Sequence, residues 1–470
     1  MGLQEMVDVQ TSFIDTFWNQ KILPALEEYI TLKCISRNYD PNWPETLPVA
    51  AKLIQDWVVK LNIPGAQVKL ATAAGRTPFL LIDLPGTVDK TVLLYGHFDK
   101  QPAGPGWTVT DPWIPKVVGD RLYGRGAADD GYAVFAAVAA MEALRNQGSP
   151  RCRAVICIES DEESGSQDFP YYLAEFSATI GNPDLLFFLD SGAGTYDRLW
   201  LTVSLRGIVN ATLSASVLKA GVHSGAASGI VPDPVRILRM LLGRLEDTGT
   251  GRILPAALNV EIPKDREEEA KKTAEFLGIA IFEEFPVLPG LKPVTADLTQ
   301  LYLNGSWRPQ LTVVGQDGLP ATAIAGNVLQ PSVALKLSLR LPPTLKAETA
   351  KAAVTHVLTH EPPYGSTIEL KVDAAADGWN AAPSPAWLDK ALATSSQTRF
   401  GNPVQTLQEG VSIGVLKLLA DKYPKAPFVV TGVLGPQSNA HGPNESLNIP
   451  FVKKLTASIA DLVRAAADNG

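Results

Sequence analysis

VLLYGHFDKQ, residues 92–101, starts with four apolar side chains and stops at a glycine, a histidine and an aspartate. A short run of this kind reads as a strand buried on both faces, which belongs in a parallel sheet covered by helices. His97 then stands at the carboxyl end of that strand, where open α/β sheets place their ligand-binding residues. Asp99, two residues on, can hydrogen-bond the far ring nitrogen and fix the tautomer needed by a metal ligand. Four further stretches put metal-preferring side chains just after apolar runs: GRGAADDG (124–131), ESDEESGS (159–166), FLDSG (188–192) and SNAHG (438–442). Each alone has a plain structural reading as a strand end, a helix N-cap or a solvated acidic loop. In this order they supply His97, His441 and several carboxylates, the inventory of a site for two divalent metals.

The surrounding pattern sets the fold class. Apolar runs at 79–84, 154–158, 185–189 and 428–433 read as further buried strands, and helical periodicity occupies 11–35, 46–61, 131–146, 384–400, 411–422 and 450–467. This predicts an α/β domain with a mostly parallel sheet. The middle differs: 201–217, 333–341 and 367–372 alternate apolar and polar residues, with helices at 233–246 and 346–359 between them. Strands with helices on one face predict an inserted α+β domain of ferredoxin-like type. Residues 248–330 are punctuated by Pro and Gly and yield no clear elements.

Length and composition narrow the function classes. At 470 residues, two domains are expected. A net charge of −8 leaves no basic stripe to displace counterions, so nucleic acid is not an expected partner. No run approaches the roughly 18 apolar residues of a membrane span. MGLQEMVDVQTSF lacks the apolar core of a secretory signal, and Met6 argues against myristoylation at Gly2. Cys34, Cys152 and Cys157 show no CxxC spacing, and Cys157 sits within an apolar run, so a reduced, cytoplasmic compartment is expected.

The motifs also form a recognisable ordered set. YGHFDKQPAG resembles the YGHxDVQP, LYGRGAADD the LYGRGxxDDKG and DEESGS the EESGS of the M20 family of co-catalytic metallopeptidases, within it the cytosolic dipeptidases related to carnosine dipeptidase. SLRG (204–207) is similar to that group's GLRG, VHSG (222–225) to LHSG, QEGVSIGV (408–415) to REGGSIPV and AHGPNESLN (440–448) to AHSxNExLN. The resemblance covers most of the chain.

It implies a catalytic domain split into 1–203 and 383–470 around a lid and dimerisation domain at 204–382. His97, Asp129 and Asp190 would hold one zinc or manganese ion; Asp129, Glu163 and His441 would hold the other, with Asp129 bridging. The nucleophile would be the metal-bridging water, Glu162 the general base and Asp99 the residue orienting His97. The family's bridging aspartate also precedes a cis peptide. In a homodimer, His223 would reach the partner's active site and stabilise the oxyanion. Arg340 would grip the substrate carboxylate and Glu409 its amine, with Gly410, Ser412 and Asn327 as further contacts. Asp190, where other branches carry Glu, goes with dipeptidases and aminopeptidases. The expected activity is therefore hydrolysis of dipeptides or short peptides with a free N-terminus.

Two departures stand out. Gly131 replaces the lysine of DDKG, and the histidine that the dipeptidases carry before a GGxPW-like segment is absent from DAAADGWNAAP (373–383). An N-acyl-amino-acid deacylase is the enzyme alternative, and a non-catalytic binding protein of the same fold the other.

Overall fold

The computed structural model describes residues 3–469; Met1 and Gly2, the start weighed above for lipidation, lie outside them. The chain divides into two compact units. The first comprises Met1–Val203, Ala381–Leu407 and Leu418–Gly470, the second Ser204–Asn380 and Gln408–Lys417.

In the first unit the apolar runs become one six-stranded sheet. Its strands are β1 (Gln67–Ala71), β2 (Phe79–Leu84), β3 (Thr91–His97), β4 (Arg153–Glu159), β5 (Leu185–Phe188) and β6 (Phe428–Val430), ordered β1-β2-β4-β3-β5-β6. β4, β3, β5 and β6 run parallel, while β1 and β2 form an antiparallel edge. Every residue of β5, and all but the first of β3 and β4, is buried, as apolar strands covered on both faces must be. Register sets His97 opposite Glu159 and Tyr95 opposite Phe188. The chain therefore leaves β3, β4 and β5 at a single edge, and the chemistry-bearing loops start there.

The Tyr132–Asn146 helix packs on β3 and on the Ile449–Asp468 helix. Its alanines, among them Ala133, Ala136, Ala137, Ala140 and Ala143, are buried. Their small size permits close approach, and Gly96 permits more: a Cβ there would lie 2.6 Å from Ala133 Cβ and 2.7 Å from Asp130 Oδ2. The absent side chain in β3 is what lets the start of this helix, with Asp129 just before it, sit over the strand end.

Three expected elements differ in detail. The helix expected over 11–35 is two helices, Leu3–Phe17 and Leu23–Thr31, joined by a π-helical turn at Trp18–Ile22. Pro24, which has no N–H to give, falls in the first turn of the second helix, and Trp18 is buried with its Nε1–H donating to Thr456 Oγ1 at 3.0 Å. The strand expected over 201–217 breaks at Arg206 into Trp200–Leu205 and Gly207–Ser216, and β6 stops at Val430.

The second unit is built on a four-stranded antiparallel sheet. Its order is Gln310–Asp317, Ser332–Leu341, Gly207–Ser216, Thr367–Ala376. The Pro234–Leu245 and Ala347–Thr359 helices bury Ile237, Leu241, Val354 and Leu358 against Leu213, Leu337 and Leu339. Full burial of each such side chain contributes about 1.5–3 kcal/mol. The stretch that gave no pattern in the sequence holds the Lys264–Leu277 and Leu298–Ser306 helices, packed around buried Trp307. No helix among the described residues is long and apolar enough to cross a membrane.

Gly131 has a steric reason to be glycine: a Cβ at this position would collide with the Tyr29 ring and the carbonyl oxygen of Gly126. The lysine of the resembling motif cannot simply be restored here. Gly131→Ala is expected to lower stability by about 1–3 kcal/mol. Chemical denaturation checks this, and an unchanged midpoint would contradict the packing described.

Candidate metal centre

His97 ends β3 and is fully buried. Its Nδ1 lies 3.1 Å from the backbone carbonyl of Asp99 and 3.4 Å from the Asp99 carboxylate. The nearer partner is thus the carbonyl rather than the side chain. A donating Nδ1–H leaves Nε2 as the ring's lone-pair nitrogen when the imidazole is neutral. Nε2 lies 3.2 Å from Asp129 Oδ1 and 3.8 Å from Asp190 Oδ2. Across Asp129, the other oxygen lies 3.0 Å from His441 Nε2, which is 3.2 Å from Glu163 Oε2.

Two groups of potential ligand atoms result, His97–Asp129–Asp190 and Asp129–Glu163–His441, each with all atoms within 4.8 Å of one another. Asp129 belongs to both. The peptide bond from Asp129 to Asp130 is cis, as the resemblance implies. Within this cluster His97 Nε2 and Glu163 Oε1 are buried without a hydrogen-bond partner. Buried polar atoms are normally satisfied. Orphaned nitrogen and oxygen atoms of metal-preferring type, one in each ligand group, fit divalent cations.

The acidic loop after β4 resolves into distinct tasks. Glu159 is buried and accepts from Tyr95 Oη at 2.6 Å and Ser166 Oγ at 2.9 Å; burial pushes its carboxyl up to about 8. Asp161 pairs with Arg37 at 3.0 Å. Glu162 and Glu163 occupy a single 3-10 turn whose amides donate to Asp99 Oδ1 and Oδ2 at 3.2 and 3.1 Å. The Asp99 carboxylate thus holds the turn, while its carbonyl holds His97. Gln101 Nε2 donates to Glu163 Oε2 at 2.8 Å. The Glu162 carboxylate has no hydrogen-bonding partner among the described residues; burial, and then its acidic neighbours, raise its affinity for a proton.

Electrostatics at the centre is a contest between burial and pairing. Burial favours a neutral Asp129, but the imidazoles of His441 and His97 beside it hold it below the usual carboxylate range. Burial also disfavours charge on the imidazoles, yet Asp129 and its neighbours lift His97 well above its ordinary value and His441 to about 11. Asp190, with burial uppermost among the causes, is pushed up.

The other candidate residues lie in the second unit. His223 is exposed, its Nδ1 accepting from Gly225 N at 3.1 Å. It pairs with Val328 across a two-stranded ribbon, beside Asn327, whose carbonyl accepts from Ser224 N at 2.9 Å. Arg340 is half-buried and donates from Nη1 to Ser412 Oγ at 2.9 Å. Glu409 and Gly410 are half-buried on the same short segment as Ser412. Where the resembling histidine is absent, Trp379 is buried and Asn380 Oδ1 accepts from Arg266 Nε at 2.8 Å.

Sequence reasoning missed Glu445. Buried to 0% exposure, it takes Arg125 Nη1 at 2.7 Å and the amides of Gly126, Ala128 and Asp129 at 3.0, 2.9 and 3.1 Å. Arg125 Nη2 reaches on to Gly442 O at 3.0 Å. One ion pair therefore fixes the backbone that carries Asp129 and touches the loop that carries His441. Its signal was present in AHGPNESLN, where only the histidine has a chemistry of its own.

Comparison with known proteins agrees with this geometry. Residues 93–465 match the model of Peptidase family M20/M25/M40. A cysteinylglycine-S-conjugate dipeptidase from Corynebacterium striatum is 26% identical over 464 residues, covering 96% of this chain and 97% of that protein. A human Beta-Ala-His dipeptidase is 28% identical over 453 residues, covering 91% and 86%. The crystal structure of human carnosine dipeptidase 1 superposes with a TM-score of 0.78 at 22% identity, covering 98% of this chain and 99% of that one, a likeness of fold.

Glu445→Gln is expected to weaken metal affinity about 10–100-fold, read by titration with Zn²⁺. Wild-type affinity in this variant would contradict the positioning role. Cation binding must also displace the protons that Asp129 and Glu163 favour on the imidazoles. Net proton release and tighter binding at higher pH are therefore expected, measurable by calorimetry in buffers of different ionisation enthalpy. Binding without proton release would contradict the electrostatic description.

Proposed function

This chain belongs to the M20/M25/M40 peptidase family, and on that premise we propose that it is a dipeptidase acting on small peptides with a free N-terminus. The observation that carries this reading is the pair of ligand groups sharing Asp129. Two relatives that align with most of the chain are dipeptidases by name.

In this proposal His97, Asp129 and Asp190 hold one divalent cation, and Asp129, Glu163 and His441 the other. Zinc or manganese there supplies Lewis acidity toward the scissile carbonyl and acidifies the attacking water. Glu162 takes the proton of that water and passes it to the leaving amine, a role helped by a carboxylate that accepts no hydrogen bond among the described residues. Asp99 keeps Glu162 and Glu163 at a fixed offset through their amides. Arg340, with Ser412, binds the substrate carboxylate, and Glu409 with Gly410 receives the free amine. His223, exposed on its ribbon beside Asn327, would serve the active site of a partner subunit in a homodimer by stabilising the oxyanion. A reducing, cytoplasmic setting is supported by three cysteines that are all buried and unpaired.

Glu162→Gln is expected to lower kcat about 10²–10⁴-fold while both cations stay bound, since the amide can neither accept nor return the proton. Metal analysis beside steady-state kinetics checks this, and a variant retaining full activity would remove Glu162 from the mechanism. Dipeptides should be cleaved and their N-acetyl counterparts resisted. Preferential cleavage of the blocked set would move the protein to the deacylases.

A further inference from the structure

Arg206 separates the Trp200–Leu205 and Gly207–Ser216 strands, and its half-buried side chain donates to neutral partners only. Nε donates to Gly410 O at 3.1 Å; Nη1 donates to Asn304 O at 3.3 Å and Arg308 O at 3.4 Å. The nearby Arg340 donates to Ser412 Oγ at 2.9 Å. Two guanidinium groups thus hang on one three-residue segment, Gly410 to Ser412, and neither forms an ion pair with a carboxylate among the described residues. The buried arginines behave differently: Arg125 faces Glu445 at 2.7 Å, Arg266 faces Glu269 at 2.6 Å and Arg399 faces Asp461 at 2.7 Å. Covered charge is costly unless it is paired. Here like charge adds to that cost, since burial and then Arg340 draw Arg206 down to about 10.

Arg206 Nη2 makes no hydrogen bond among the described residues, and a Cβ on Gly410 would come within 2.7 Å of it. Glycine at 410 is what lets the guanidinium pack this close.

We propose that Arg206 and Arg340 form a two-arginine cradle for the C-terminal carboxylate of the substrate, with Arg206 Nη2 as its second contact. This rests on the dipeptidase reading and deepens it. The cradle supplies a second charged contact where the histidine of the resembling motif is absent, and it selects peptides ending in a free carboxylate rather than an amide. Planar guanidinium forks suit a carboxylate better than a single ammonium.

The test compares Ala-Ala with Ala-Ala-amide on the metal-loaded enzyme. Arg206→Met is expected to lower kcat/KM for Ala-Ala by about 30-fold or more, chiefly through KM, while hardly altering cleavage of the amide. Arg206→Lys, which keeps charge but loses the fork, should fall between. Equal losses on both substrates, or no loss on either, would overturn the cradle and leave Arg206 a loop fastener. Thermal melting of each variant separates misfolding from lost binding. If wild type cleaves neither peptide, the dipeptidase reading fails, and sulfate then judges the cradle. It should raise the melting temperature of wild type more than that of Arg206→Lys or Arg340→Met, and equal shifts in all three would overturn it.

Discussion

Asp129 is one carboxylate shared between two imidazoles, with His97 Nε2 at 3.2 Å on one oxygen and His441 Nε2 at 3.0 Å on the other. Burial alone would protonate it, and a neutral acid could not bridge two cations. The rest of the first unit keeps this group charged and in place. Gly96 opens β3 so that the helix start can approach, and the Arg125–Glu445 pair fixes the backbone before it. The parallel strands deliver His97, the Glu162–Glu163 turn and Asp190 to the same edge. A loop folded over a lone aspartate would have no reason to bury so many acids together.

The division of labour among those acids follows from their hydrogen bonds. Asp99 accepts amides from both members of the Glu162–Glu163 turn, so a proposed proton carrier and a proposed ligand move as one piece. Glu159 and Asp161 face Tyr95, Ser166 and Arg37, which makes them internal braces. Four carboxylates in one short motif thus serve two purposes, and their neighbours decide which.

Much of this could be read before any coordinates. Strands β3 and β5 were plain because each is an apolar run buried on both faces, and His97 and Asp190 stood out by lying at or just past their ends. What could not be read depends on partners distant in the chain. Glu445 lies 320 positions from Arg125, and its bonds are mostly to backbone amides, which leave no mark on residue type. Residues Gln408–Lys417 cluster with the second unit although sequence order sets them among catalytic segments. In the stretch 248–330 the Lys264–Leu277 helix was hidden because it is dominated by charge and shows only a narrow apolar face. The choice of Glu162 over Glu163 as base came from motif resemblance, since neighbouring glutamates on one loop look alike by composition.

The most direct test of the two-cation centre is anomalous diffraction from crystals grown with Mn²⁺ or Zn²⁺. The account predicts two peaks about 3.5–4 Å apart, one beside His97 and Asp190, the other beside Glu163 and His441, with Asp129 between them. A single peak, or ions bound away from Asp129, would contradict it.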